Sequence, residues 1–170
     1  MAPELGEIRT ERLVLRRFRE ADLPSVVEIQ SDPATHPHDA FPATTEHARA
    51  LVAVWQRHWA EHGFGYVAVV EAGSGRVIGV GGVQAKDLEG EPVLNLYYRF
   101  RPEAWGRGYA SEMANAVVGW ASRAVPERPV VIVTDVGNVP AQRIAHKLGF
   151  AEYKEDYYEG VAAKFYRSRP

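Results

Sequence analysis

Between residues 93 and 122 the hydrophobic period of the chain changes across a glycine turn, and this junction limits the folds open to it. Val93 to Phe100 alternates as a strand and is interrupted by Pro102. Gly108 to Ser122 then reads as a helix, with Ala110, Met113, Ala114, Val117, Trp120 and Ala121 on one side. The joint is Pro102-Glu103-Ala104-Trp105-Gly106-Arg107-Gly108-Tyr109-Ala110-Ser111-Glu112. Gly106 and Gly108 have no Cβ, so the backbone there can turn tightly and approach a ligand closely. The first N–H groups of the helix point at one spot, and the helix dipole adds partial positive charge. Such a terminus suits a phosphate or pyrophosphate, and Arg107 offers a formal charge beside it. A nucleotide P-loop is excluded because no Gly-Lys-Ser/Thr run exists. A dinucleotide fingerprint is excluded because its third position is Ser111 and the loop lies mid-chain. A plain helix-capping turn remains open.

The rest of the chain alternates in kind. Leu13 to Phe18 reads as a first strand, and Asp22 as the N-cap of a short helix carrying Leu23, Val26, Val27 and Ile29. Ser31-Asp32-Pro33 breaks that helix, and a loop with His36, Pro37, His38 and Pro42 follows. A helix is expected over Thr45 to His62, on Ala48, Leu51, Val52, Trp55 and Trp59, with Gly63 ending it. Strands are expected over Tyr66 to Glu71, Val77 to Val83 and the β-branched Val130 to Val133. Pro140 to Lys147 is a short helix stopped by Gly149, and two strands run from Ala151 to Arg167. Strands separated and flanked by helices make a mixed α/β domain. No repeat or linker divides the 170 residues, so residues 1–170 are read as one domain.

Composition narrows the function. With no cysteine, there is no disulfide framework, thiolate metal site or cysteine nucleophile. A net charge of −2 gives no global reason to bind nucleic acid or an anionic membrane. The first residues carry Glu4, Glu7 and Glu11 without an apolar run, and no stretch approaches the ~20 apolar residues of a membrane span. A cytoplasmic protein is expected.

A second run, Asn138-Val139-Pro140-Ala141-Gln142-Arg143-Ile144-Ala145-His146-Lys147-Leu148-Gly149-Phe150, follows the β-branched strand. With it the sequence resembles the GNAT family of N-acetyltransferases, in particular the RimJ/RimL-like branch that acetylates ribosomal-protein N-termini. The resemblance opens at Thr10-Glu11-Arg12-Leu13-Val14-Leu15-Arg16. It continues through Val77-Ile78-Gly79 and Trp105-Gly106-Arg107-Gly108-Tyr109-Ala110-Ser111-Glu112, and closes on Asn138 and Lys147-Leu148-Gly149-Phe150. Each motif is weak alone; four in order cover nearly the whole chain.

The resemblance implies a mixed, mostly antiparallel sheet splayed at its centre with flanking helices, and acetyl-CoA as co-substrate without a metal. It implies that the loop amides from Trp105 through Gly106, Arg107, Gly108, Tyr109, Ala110 and Ser111 take the pyrophosphate. The strand edge at Tyr98, Arg99 and Phe100, together with Asn138, would hold the pantetheine arm, and a backbone N–H near Tyr98 or Phe100 would stabilise the oxyanion. Trp105 stands where the family usually has Gln or Arg, and Asn138 reads equally as an N-cap before Pro140. The expected acceptor is a small-molecule or peptide amine, with no nucleic acid and no membrane; homodimer formation is left open.

Two family positions are empty. Where a Tyr or Ser would protonate the leaving thiolate stand Ala145 and Ala141. Where a Glu would serve as base, the strand between Glu91 and Glu103 has no carboxylate, and Asn95 stands near the expected place. His36, His38 and Asp135 are candidate bases from loops, each equally read as an ordinary loop residue. An acetyltransferase acting by direct attack is the main expectation; a weakly catalytic acyl-CoA-binding module is the alternative.

Other features carry bland readings. His58-Trp59-Ala60-Glu61-His62 matches a zinc-protease signature, but His62 at a helix end beside Gly63 reads as a dipole partner. Trp55, Trp59 and Trp120 read as core. Arg99 and Arg101, beside Tyr97 and Tyr98, read as solvated strand arginines, and Glu152 to Glu159 as a polar edge that, by the resemblance, borders the acceptor pocket.

Overall fold

A computed structural model describes residues 3–37 and 43–170. Eight strands form one sheet in the order β1-β2-β3-β4-β5-β6-β8-β7. They are β1 (Ile8–Arg9), β2 (Leu13–Arg16), β3 (Tyr66–Glu71), β4 (Val77–Leu88), β5 (Glu91–Phe100), β6 (Val130–Asp135), β7 (Ala151–Tyr158) and β8 (Val161–Arg167). The helices are α1 (Leu23–Ser31), α2 (Thr45–His62), α3 (Tyr109–Ala124) and α4 (Val139–Lys147). Every neighbouring pair is antiparallel except β5 and β6, which are parallel.

Alternation along the strands sorts the core onto two faces. Leu13, Leu15, Val67, Val69, Leu94, Leu96 and Phe100 pack with Met113, Ala114 and Val117 of α3. Val14, Tyr66, Ala68, Val70 and Val80 pack with Val26, Ile29, Val52 and Trp55 of α1 and α2. On β4, Gly81 faces Met113 Cε and the Tyr98 Cβ, each 2.9 Å from where its own Cβ would stand. The missing side chain lets α3 and Tyr98 lie flat on the sheet.

Several expectations change in the structure. β4 runs on to Leu88 rather than stopping at Val83, because Gln84 to Leu88 pair in register with Glu91 to Asn95. Asp22 sits at the N-cap position of α1 but makes no cap bond. Its carboxylate instead accepts from the Arg16 guanidinium at 2.5 Å and from Arg19 N at 2.7 Å. Arg101 is not solvated: it is buried, donating to Val77 O at 2.9 Å and to Glu28 at 2.6 Å. Arg99 is half-buried and donates to the Tyr97 hydroxyl at 2.9 Å and to Thr35 O.

The buried histidine of α2 is His58, whereas His62 is half-buried and stacks on it at 4.3 Å. Both His58 ring nitrogens are engaged by backbone, Nδ1 with Phe64 O at 2.9 Å and Nε2 with Ala85 N at 3.0 Å. Neither is left to bind a metal.

Candidate active site

The sheet opens where β5 and β6 part. Among the described residues the two strands pair only at Leu94↔Val130 and Asn95↔Val131, although β5 runs on to Phe100 and β6 to Asp135. Beyond Asn95, β5 keeps β4 along one edge, and β6 keeps β8. Leu94 N donates to Pro129 O on the β6 side, and Arg101 N to Ile78 O on the β4 side. Successive peptide groups of a strand face opposite edges, so Leu96, Tyr98 and Phe100 turn their N–H and C=O toward the gap. The Phe100 carbonyl accepts from the Trp105 indole N–H at 3.0 Å. The N–H groups of Tyr98 and Phe100 therefore lie on the open edge.

A cleft of about 640 Å³ occupies this gap. Tyr98, Arg99 and Phe100 line it from β5; Trp105, Gly106, Gly108, Tyr109, Ala110 and Ser111 from the glycine loop and the start of α3. Asn138, Ala141, Arg143 and Lys147 line it from α4, and Thr35 and His36 from the turn after α1. Gly106 and Gly108 hold φ of 72° and 81°, a left-handed conformation that side-chain-bearing residues rarely adopt. Gly108 is the N-cap of α3 with no side-chain cap, so the first-turn N–H groups have no side-chain acceptor there.

Arg107 is the exception in the loop. It does not line the cleft; its guanidinium lies 5.6 Å over the Tyr109 ring. Among the described residues, the cationic side chains that line the cleft are Arg99 of β5 and Arg143 and Lys147 of α4. Sequence reading missed the two on α4, although their i, i+4 spacing places both on one helix face.

The other candidates are dispersed. Asp135 ends β6 outside the cleft lining, and its carboxylate accepts from Gly137 N at 2.6 Å, closing a local turn. His38 lies outside the described residues. His36 borders the cleft and bonds through Nε2 to Gln30 O at 2.6 Å, so Nε2 carries the proton. Asn95 sits at the fork of the sheet and donates to the Tyr66 hydroxyl at 2.9 Å. Burial pushes the Tyr98 hydroxyl up to about 12, which keeps it neutral near pH 7. Asn138 caps α4, its Oδ1 accepting from Ala141 N at 3.3 Å. Ala141 borders the cleft, whereas Ala145 is fully buried in the core. β7 is the outer edge of the sheet, and none of its residues lines this cleft.

The acetyltransferase (GNAT) domain model matches residues 12–151. The chain belongs to the GNAT acetyltransferase family. An uncharacterized Bacillus subtilis protein, YkkB, is 24% identical over 141 residues, 82% of each chain. An acetyltransferase from Agrobacterium tumefaciens shares the fold at a TM-score of 0.81 and 23% identity, over 98% of this chain and 96% of its own. RimL, a ribosomal L7/L12 α-N-protein acetyltransferase solved with coenzyme A, superposes at a TM-score of 0.75 and 17% identity, over 96% and 97%. The splayed GNAT sheet expected from the sequence is the one observed, and the protein is a GNAT-family acetyltransferase.

Proposed function

We propose that the protein moves an acetyl group from acetyl-CoA to a primary amine by direct attack, and that the preferred amine is an α-amino group of a peptide N-terminus or small molecule. The observation that carries this is the meeting, in one cleft, of an unpaired strand edge and a bare helix N-terminus. The two ends suit the two ends of acetyl-CoA. The amides of Gly106 and Gly108 to Ser111 fit the pyrophosphate, with Arg143 and Lys147 as counter-charges. The edge of β5 and the Asn138 amide fit the pantetheine arm, which carries amides of its own. RimL, with the same splayed fold, was solved holding coenzyme A.

Acetyl-CoA supplies an activated acyl group as a thioester. The neutral amine attacks the carbonyl carbon, the C–N bond forms and the C–S bond breaks with its electron pair leaving on sulfur, and the extra proton on nitrogen passes to solvent, leaving the amide and the CoA thiolate. The Tyr98 or Phe100 N–H on the open edge donates to the carbonyl oxygen as charge develops there. Ala141 and Ala145 can donate no proton, but a thiol pKa of ~8.5 makes the thiolate a tolerable leaving group near neutrality.

The choice of amine follows from the missing base. Asn95 stands at the fork with its amide committed to Tyr66, and among the described residues no Asp or Glu lines the cleft. At pH 7 a lysine ε-amine of pKa ~10.4 is neutral in ~0.04% of molecules, and an α-amine of pKa ~7.7–8.0 in roughly 10–15%. That difference of a few hundred-fold matches what a positioned base supplies, about 10²–10⁴. The test is a pH–rate profile on two matched peptides, one with a free N-terminus and one blocked there but carrying lysine. The free N-terminus is expected to react faster at pH 7. A faster lysine peptide would contradict the assignment and point to His36 as an overlooked base.

A further inference from the structure

The glycine loop is tied to a distant part of the chain. With glycine at 106 and 108, the peptide planes around Arg107 are free to rotate into either half of φ space. One side chain from outside the loop holds the Arg107 peptide directly. Arg12, just before β2, donates through Nη1 to the Arg107 carbonyl at 2.8 Å and through Nε to Glu112 at 2.7 Å. Glu112, in the first turn of α3, is held in turn by Arg12 N at 2.9 Å and the Thr10 hydroxyl at 2.5 Å. The guanidinium also stacks 4.3 Å from the centre of the Tyr109 ring.

In a planar trans peptide the carbonyl and the next N–H point in opposite directions. Holding the Arg107 carbonyl on Arg12 therefore turns the Gly108 N–H the other way. Arg107 is also the one loop residue from 105 to 111 absent from the cleft lining, while its neighbours Gly106 and Gly108 both line it. We infer that Arg12 is a positioning residue: it locks the Arg107–Gly108 peptide so that the Gly108 N–H stays aimed at the anionic end of the acyl donor, while neutralising Glu112 beside that site. This rests on the assignment of the cleft to acetyl-CoA.

Arg12 is matched to the task by its forked head, which binds a carboxylate and a carbonyl at once. A lysine keeps the charge but has a single nitrogen to divide between Glu112 and the Arg107 carbonyl. The experiment uses two acyl donors, acetyl-CoA and S-acetylpantetheine, which lacks the pyrophosphate, on wild type, Arg12→Lys and Arg12→Gln. In both variants KM for acetyl-CoA should rise about tenfold, the equivalent of ~1.4 kcal/mol, with kcat little changed. KM for S-acetylpantetheine should stay at the wild-type value, a split that general loosening of the fold would not give. If Arg12→Gln does not fold, Arg12→Lys, which retains an ion pair to Glu112, carries the test. An unchanged KM for acetyl-CoA, or equal rises for both donors, overturns the role of Arg12. Equal wild-type KM values for the two donors would instead remove the pyrophosphate site itself, and the proposed function with it.

Discussion

His58 ties helix α2 to the loop that follows it and to β4, and its protonation would break one of those ties. Phe64 O can only accept and Ala85 N can only donate, so the ring carries its proton on Nδ1 and a lone pair on Nε2. Burial, then the neighbouring His62, holds the His58 pKa below its ordinary value of 6.5. Protonation would set a new N–H against the Ala85 N–H. The unfolded chain takes up that proton near pH 6.5 and the folded one does so at lower pH, so this part of the stability is present above 6.5 and lost as pH falls below it. Thermal melts from pH 7.5 to 5 should show the midpoint dropping below about pH 6.5. In His58→Gln, part of that drop should disappear while the midpoint at pH 7.5 is lowered. A pH profile unchanged by the substitution would contradict the assignment. His58→Ala leaves Phe64 O and Ala85 N unpaired, at a cost of about 1–3 kcal/mol by denaturant unfolding. Sequence pattern does not reveal this role, because both partners of His58 are backbone groups on other elements. Arg12 is similar: Thr10-Glu11-Arg12-Leu13 stands out in the sequence, but its partners Arg107 and Glu112 lie 95 and 100 positions away.

Helix α4 carries two tasks on one residue. Asn138 Oδ1 caps the helix through Ala141 N, while its NH₂ is the group proposed to meet the pantetheine arm. The two can be separated. Asn138→Asp keeps a cap acceptor but loses the donor, so the melting temperature should hold while KM for acetyl-CoA rises severalfold. Asn138→Ala loses both and should also destabilise the protein by about 1 kcal/mol in denaturant titration. A drop in stability in Asn138→Asp, with KM unchanged, would leave Asn138 as a cap alone. The helices were the most legible elements: α2 begins and ends at the expected Thr45 and His62, with Thr44 capping and Gly63 left-handed. The strands were less so. Polar residues Gln84, Lys86 and Asp87 hide the second half of β4, whose pairing with β5 is decided by the turn at residues 89–90 rather than by hydrophobic alternation. Arg101 looks solvated in the sequence because a charged residue advertises solvent unless its buried partner is known, and Asp22 looks like a helix cap because its true partner, the Arg16 guanidinium, lies on another element.

At the scale of the whole molecule, the site exists because one strand pair fails to continue. Among the described residues β5 and β6 are the only parallel neighbours, and two paired positions hold the halves of the sheet together before they part. The strands, the glycine loop and α4 were each legible from sequence. Their convergence on one cleft was available only through the family resemblance, since no local pattern says that residues 98, 108 and 138 meet. Arg143 and Lys147 are visible in the sequence as an i, i+4 pair, but no protein partner among the described residues marks them; only the cleft they line does. The central claim, that this cleft holds acetyl-CoA with its pyrophosphate on the glycine loop, is tested most directly by calorimetric titration of acetyl-CoA into wild type and Gly108→Val. Gly108 holds φ of 81°, a left-handed conformation that a β-branched residue resists, so valine forces the loop out of shape where its amides should meet the anion. Wild type should bind, and a Gly108→Val protein that keeps its circular dichroism spectrum should show no measurable binding; wild-type affinity in that folded variant would contradict the account.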